Sequence, residues 1–190
     1  MKRRLSDHDF QEAAKILGTG VAEIKTVTTV ESKGEGFLHN GRVVIRFEPH
    51  KFHKFTGGRF GQSHPQLSYP SFRPGYPKSK KHSCDLYDEA KKLNTYAARL
   101  STSYGLFQIM GFNFGKCGCK SLTEFVARMR KSEKEQLKLF CNFLINEGLV
   151  EQLRRHDWAG FAKAYNGQDY RTNQYDTKLG MTFASYNSSR

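Results

Sequence analysis

The sequence predicts an α+β chain, mainly α-helical, with one small β-hairpin region. Two observations carry this. Apolar residues recur at helical spacing through most of the chain, whereas residues 42–48 alternate with a period of two. The order is helices, a hairpin region, then more helices, with no internal repeat and no second apolar core, so residues 1–190 are expected to form one domain.

Ser6 suits the N-cap of a first helix reaching Leu17, with Phe10, Ala13, Ala14 and Leu17 on one stripe. Gly18 and Gly20 end it, and a second helix is expected from about Val21 to Ser32. In the strand at 42–48, Val43, Ile45 and Phe47 share one face; Val44, Arg46 and Glu48 share the other. His39-Asn40-Gly41 is a turn signal that lets residues 36–39 pair back on the strand. Pro49 stops the strand and suits the first turn of a short helix through His50, Phe52, His53 and Phe55.

Residues 56–84 hold four of the five prolines, with many Gly and Ser and much basic charge. They read as a long irregular loop, which either covers a substrate groove or is an ordered insertion with no part in binding. From Asp85 onward the chain reads as helical, with Leu86, Ala90, Leu93, Ala97 and Leu100 on one stripe. Ser101-Thr102-Ser103 is predicted to cap a helix from Tyr104 to about Met110. Further helices are expected around Leu122–Met129, from Leu137 to near Gly148, from Trp158 to Asn166-Gly167, and from about Gln174.

Composition bounds the function. No apolar run approaches the roughly 20 residues that span a bilayer. The basic stretch Met-Lys-Arg-Arg-Leu-Ser-Asp-His-Asp-Phe is followed by no apolar segment, so neither a signal peptide nor an anchor is expected. A cytosolic start follows, and a target outside the membrane then requires separate release. Cys84, Cys117, Cys119 and Cys141 are expected as thiols. Cys117-Gly-Cys119 with Cys84, His82 and His64 lacks the usual spacing of a zinc site. The 31 Lys+Arg against 18 Asp+Glu give a net charge of +13, which favours an anionic partner: nucleic acid, or a bacterial envelope rich in phosphate and carboxylate.

The chemistry starts at Glu31. At about 100° per residue, it continues the apolar stripe of Ile24 and Val27 where the second helix runs into glycine. A carboxyl there is partly desolvated, which raises its pKa and makes it a proton donor near neutrality. Glu35, beyond Gly34, reads instead as a solvated loop charge. Glu48 ends the strand on the face of Arg46 and is expected to stay ionised. It either stabilises an oxocarbenium charge, positions a water or acts as nucleophile, or else it serves as a structural ion pair with Arg46 or a histidine. Two carboxylates in such different environments are what glycoside hydrolysis requires. Glu-Pro-His-Lys-Phe-His (48–53) lacks the glutamate between two histidines that zinc peptidases use, so no metal and no cofactor is expected, and His50 orients Glu48 or a backbone group. In Ser-Thr-Ser-Tyr-Gly-Leu-Phe-Gln-Ile-Met-Gly-Phe-Asn (101–113), Thr102, Ser103, Tyr104 and Gln108 offer hydroxyl, ring and amide groups to a sugar, while Leu106, Phe107, Ile109 and Met110 pack the core.

Tyr-Gly-Leu-Phe-Gln (104–108) followed by an apolar pair resembles the lysozyme-like superfamily, especially goose-type lysozymes and lytic transglycosylases. Three segments narrow the resemblance. They are Val-Glu-Ser-Lys-Gly-Glu-Gly-Phe-Leu (30–38) with Arg-Phe-Glu-Pro-His-Lys-Phe-His (46–53), the segment 102–113, and Tyr-Asn-Gly-Gln-Asp-Tyr-Arg-Thr-Asn-Gln-Tyr-Asp-Thr-Lys-Leu (165–179). Together they resemble the N-acetylmuramidase domain of phage endolysins and prophage lysozymes over about residues 10–185. The resemblance implies a lysozyme-like fold and cleavage of the β-1,4 bond from N-acetylmuramic acid to N-acetylglucosamine in peptidoglycan. It implies that Glu31 is the catalytic acid, that Glu48 assists, and that Tyr165 and Asn166 line the groove together with Tyr104 and Gln108. Many members of that family carry a wall-binding module, for which this chain has no room, so a single catalytic domain is expected that, as a monomer, holds anionic envelope polymers through its basic surface. In the host it would wait in the cytoplasm for holin-type release. The rivals are a lytic transglycosylase with anhydro-muramic products, a zinc amidase, and a basic nucleic-acid-binding module. No motif for nucleic-acid reading is present, and no nucleic acid is expected.

Overall fold

A computed structural model describes residues 4–32 and 34–188, apart from the side chain of Asp169. Met1 to Arg3 of the basic N-terminal stretch and Lys33 of the segment after the second helix lie outside the described residues. Helix α1 spans Asp7–Leu17, opened by a capping box in which Ser6 and Asp9 satisfy each other's backbone N–H. Helix α2 spans Val21–Glu31. Its run Thr26-Val27-Thr28-Thr29-Val30 has poor helix propensity. Packing on α1 and on the last helix holds it, with Ile24 and Val27 fully buried.

After α2 the chain makes the expected hairpin: Phe37 bridges Val43, and Leu38 N donates to Arg42 O at 2.8 Å. Strand β1 is Ile45–Phe47, and Pro49 opens α3, Pro49–Phe55. The long loop is ordered. His53 Nδ1 lies 3.0 Å from Ser68 Oγ, and Leu67, Ser68 and Tyr69 are buried. It ends sooner than the composition suggested, because Ser79 caps α4, Lys80–Leu93. The apolar stripe 86–100 is also split: Asn94 leaves the helical region and caps α5, Thr95–Leu100, accepting from Ala97 N at 2.9 Å.

The predicted helix from Tyr104 to Met110 is not formed. Residues Thr102–Tyr104 and Ile109–Met110 are strands β2 and β3 of a three-stranded antiparallel sheet in the order β1-β2-β3. The hydroxyls expected to cap a new helix instead finish the old one: Ser101 Oγ and Thr102 Oγ1 donate back to Ala97 O and Ala98 O. The turn between the strands needs left-handed backbone at Gly105 (φ 71°) and Gln108 (φ 47°), which no right-handed helix allows. β1 supplies the partner that decides the outcome, with Ile45 opposite Tyr104 and Phe47 opposite Thr102.

The remaining helices follow the apolar stripes: α6 Leu122–Met129, α7 Glu133–Asn146, α8 Val150–Arg154, α9 Trp158–Asn166 and α10 Tyr175–Asn187. The core runs through Phe47, Phe52, Tyr87, Tyr104, Phe125, Phe140 and Phe161. No described helix is long and apolar enough to cross a membrane.

Candidate active site

A cavity of about 690 Å³ opens between the sheet and the helical lobe. It is walled by the end of α2, the three strands with the turn at 105–108, the last residues of the long loop with the start of α4, Phe143 of α7, and the α9–α10 side. Glu31, Glu35, Glu48, Ser103, Gln108, Tyr165 and Asn166 all line it, as do Pro77, Lys78, Ser79 and Lys80. The middle of the long loop thus packs into the fold, and its last residues wall the cavity.

Glu31 is the last residue of α2, and helical phase carries it into the apolar side of the cavity. Tyr165, Tyr175, Phe107 and Phe143 line the same cavity. Burial among them pushes its pKa up to about 7, against a single opposing hydrogen bond from Asn166 Nδ2 to Oε1 at 3.0 Å. Asn166 ends α9, where Gly167 turns the chain with φ 86°. Tyr165 is fixed from beneath, its hydroxyl donating to Phe107 O at 3.1 Å. A desolvated carboxyl with, among the described residues, one neutral donor and no cation in hydrogen-bond contact holds its proton toward neutrality, as a general acid must.

Glu48 sits in a different setting. Arg46 Nε donates to Oε1 at 2.9 Å, and His50 Nδ1 lies 3.5 Å from Oε2. The expected ion pairing with Arg46 is therefore present. Burial raises the Glu48 pKa, and Arg46 only partly offsets it. Burial and the charge of Lys51 hold His50 below its usual value, which favours the neutral ring. Glu35 is no solvated bystander either. It lines the cavity half-buried, 3.7 Å from Arg4 and 4.0 Å from Lys80.

Two of the expected groove residues are elsewhere. Alternation along β2 sends Ser103 to the cavity and sends Thr102 and Tyr104 away from it. Both are fully buried, and the Tyr104 hydroxyl meets Tyr87 and Arg99 O. Ser103 Oγ donates to Gln108 Oε1 at 2.9 Å, and Gln108 Nε2 closes the turn on Gly105 O at 2.8 Å. One amide hydrogen of Gln108 is left for a ligand. The four cysteines are buried free thiols. Among the described residues the one cluster of three possible metal ligands is His8, Asp9 and Glu12 on α1, not the cysteine–histidine set.

The family model for N-acetylmuramidases matches residues 20–187. The chain belongs to the N-acetylmuramidase family. The crystal structure of a Burkholderia AP3 phage endolysin is similar, with TM-score 0.90 and 35% identity over 98% of this chain and 72% of that one. No curated protein matches. Membership makes this muramidase a peptidoglycan-degrading glycoside hydrolase with a mainly α-helical, lysozyme-like fold.

One prediction arises from this geometry. The Asn166 amide favours the charged form of Glu31, so Asn166→Ala is expected to raise the Glu31 pKa further. The alkaline limb of kcat/KM, near pH 7 in the wild type, should move to higher pH in the variant. A limb that stays put or moves down would contradict the assignment.

Proposed function

We propose that this muramidase is a phage endolysin. It hydrolyses the β-1,4 bond between N-acetylmuramic acid and N-acetylglucosamine in peptidoglycan, for host cell lysis. The observation that carries the reading is the carboxyl of Glu31, desolvated at a cavity wall and hydrogen-bonded by Asn166. Glu31 gives its proton to the glycosidic oxygen as the bond to the anomeric carbon breaks. The positive charge left on the sugar is met by the carboxylate of Glu48, held by Arg46 and His50. Water then adds to the anomeric carbon, and the proton it loses restores Glu31. Ser103, Gln108, Tyr165 and Asn166 bind the sugars that flank the bond.

The test is muropeptide analysis of digested peptidoglycan. Reducing muramic ends are expected; 1,6-anhydro ends would replace hydrolysis by lytic transglycosylation. Glu48→Gln is expected to lower kcat about 100-fold, at the low end for a group acting in the transition state. Full activity in that variant would leave Glu48 as an ion-pair partner and no more.

In this role the enzyme acts as a monomer and waits in the host cytoplasm until a holin-type lesion releases it. Its net charge of +13 then holds it on anionic envelope polymers. Retention on isolated walls is expected to weaken steeply between low and high salt, since screening shortens the reach of surface charge to about 3 Å at 1 M. Salt-independent retention would remove the electrostatic role.

A further inference from the structure

Beyond the cavity, a band of aromatic side chains that the core does not absorb lies on and beside α3: Phe55 on the helix, Phe72 in the long loop and Phe112 after β3. Phe72 is 55% exposed, Phe112 39% and Phe55 38%. They fall into a pair and a third ring, each set against α3. The Phe55 and Phe112 ring centres are 6.0 Å apart, and Lys51 Nζ lies 5.9 Å from the Phe112 ring centre. Phe72 meets the edge of His50 at 5.5 Å. Single exposed apolar residues are ordinary, but rings that touch one another or abut a cavity residue mark a binding surface.

The band is continuous with the cavity at two points. His50 touches both Phe72 and the cavity carboxylate Glu48. Phe112 stands between Gly111 and Asn113, next to the cavity-lining residues Met110 and Asn113. From the Glu48 wall the band follows α3 outward, since Lys51 and Phe55 are one helical turn apart on the same face. A polysaccharide substrate does not end where a 690 Å³ cavity ends. It must leave over a rim, and Phe72 stands by the rim at Glu48 while Phe112 and Phe55 follow from Met110 and Asn113. The chemistry also matches. A pyranose ring presents an apolar face of C–H bonds that stacks on a phenyl ring, and Lys51 stands beside Phe112 as a donor to carboxylate and acetamido oxygens.

We propose that Phe72, Phe112 and Phe55 form outlying sugar subsites that grip the glycan strand where it leaves the cavity past Glu48. The inference rests on the muramidase reading above and deepens it. It makes the enzyme length-sensing, with long strands bound more tightly than short ones.

The test is Phe72→Ala/Phe112→Ala, assayed by release of reducing ends from two soluble substrates. One is a peptidoglycan tetrasaccharide; the other is a preparation of long glycan strands freed of cross-links. For the long strands KM is expected to rise about 3- to 10-fold, the scale of one or two lost ring contacts, with kcat unchanged. For the tetrasaccharide neither constant should move. Phe72→Ala alone, whose ring is more than half exposed, is the second variant should the double variant fold poorly, and it should give the smaller part of the same length-dependent rise. If KM stays constant on both substrates, or rises equally on both, the outlying subsites do not exist. Loss of binding to anionic vesicles or of self-association, with long-strand KM unchanged, would hand the band to a membrane or a second copy and end the proposal. Wild-type protein inactive on both lengths would sink the muramidase reading itself, and the subsites with it.

Discussion

Glu31→Gln is expected to abolish wall lysis while leaving a folded protein that is more stable than the wild type above neutral pH. The amide keeps the size of the side chain and, with its oxygen toward Asn166, the one hydrogen bond at 3.0 Å, but has no proton to give. General acid catalysis contributes about 100- to 10,000-fold, so the turnover of sacculi should fall by about that factor. Stability moves the other way. The Glu31 pKa lies near 4.5 unfolded and about 7 folded, so the folded state holds the proton more tightly. The neutral carboxyl is fully compatible with the fold below pH 4.5. That advantage is lost as pH rises to about 7, because the folded protein must then accommodate a desolvated charge. The glutamine has no such charge. The two proteins should therefore melt together at pH 4, separate progressively up to pH 7, and differ by a constant amount, at most about 3 kcal/mol, above it. Thermal melts across that range, beside turbidity assays at pH 6, measure both. An inactive variant that is also less stable at pH 8 would show that Glu31 supports the fold rather than the chemistry.

That outcome bears on what a sequence can carry. Glu31 stood out because helical phase is local: Ile24, Val27 and Glu31 fall on one side of α2 whatever else the chain does. The cap at Ser6, Pro49 at the start of α3 and the turn at 39–41 are equally local, and they appear where expected. The hairpin at 102–110 is not local. Five apolar or aromatic residues between Tyr104 and Met110 suit a helix, and only β1, more than fifty residues earlier, turns them into strand. With the helical phase went the placement of Thr102 and Tyr104: a period of two sends alternate residues to opposite faces, and those two fall on the core side. Glu48 shows the same division in its electrostatics. Arg46, two residues away, was readable, whereas the desolvation that outweighs it comes from the folded surroundings. Glu35 was set aside because glycine breaks the helical register, yet a chain that leaves a helix beside a cavity still lines that cavity.

Gln136→Leu is expected to be the most destabilising substitution near the site, although nothing in the sequence marks this residue. Gln136 lies on α7, fully buried, beneath the two backbone segments that form the cavity's inner edge. Its Oε1 accepts from Leu106 N at 2.8 Å, and its Nε2 donates to Met129 O at 2.9 Å and to Gly36 O at 3.4 Å. Its neighbour Glu133 takes the other half of the load, accepting from Gly36 N at 2.9 Å. The glycines at 36 and 105 make room for this brace, since a Cβ at either would run into the Gln136 side chain. Leucine fills the same space but leaves the buried N–H of Leu106 and the carbonyl of Met129 without partners, while Gly36 O keeps the N–H of Val44 at 3.0 Å. At about 1–3 kcal/mol for each unsatisfied group, the loss in unfolding free energy should reach about 3–5 kcal/mol, a large share of a typical domain's stability. Urea unfolding gives that number directly, and a loss below about 1 kcal/mol would mean that water replaces the brace. Gln136→Glu separates donor from acceptor. Its ionised carboxylate still accepts from Leu106 but repels the carbonyls of Met129 and Gly36 and the side chain of Glu133, so it must hold a proton to fit. Its folded pKa is thereby raised, and its stability should be near the wild type's below the ordinary glutamate value of about 4.3 and fall away as pH rises. A pH-independent deficit in that variant, matching the leucine variant, would show that the shape of the side chain matters and its hydrogen bonds do not.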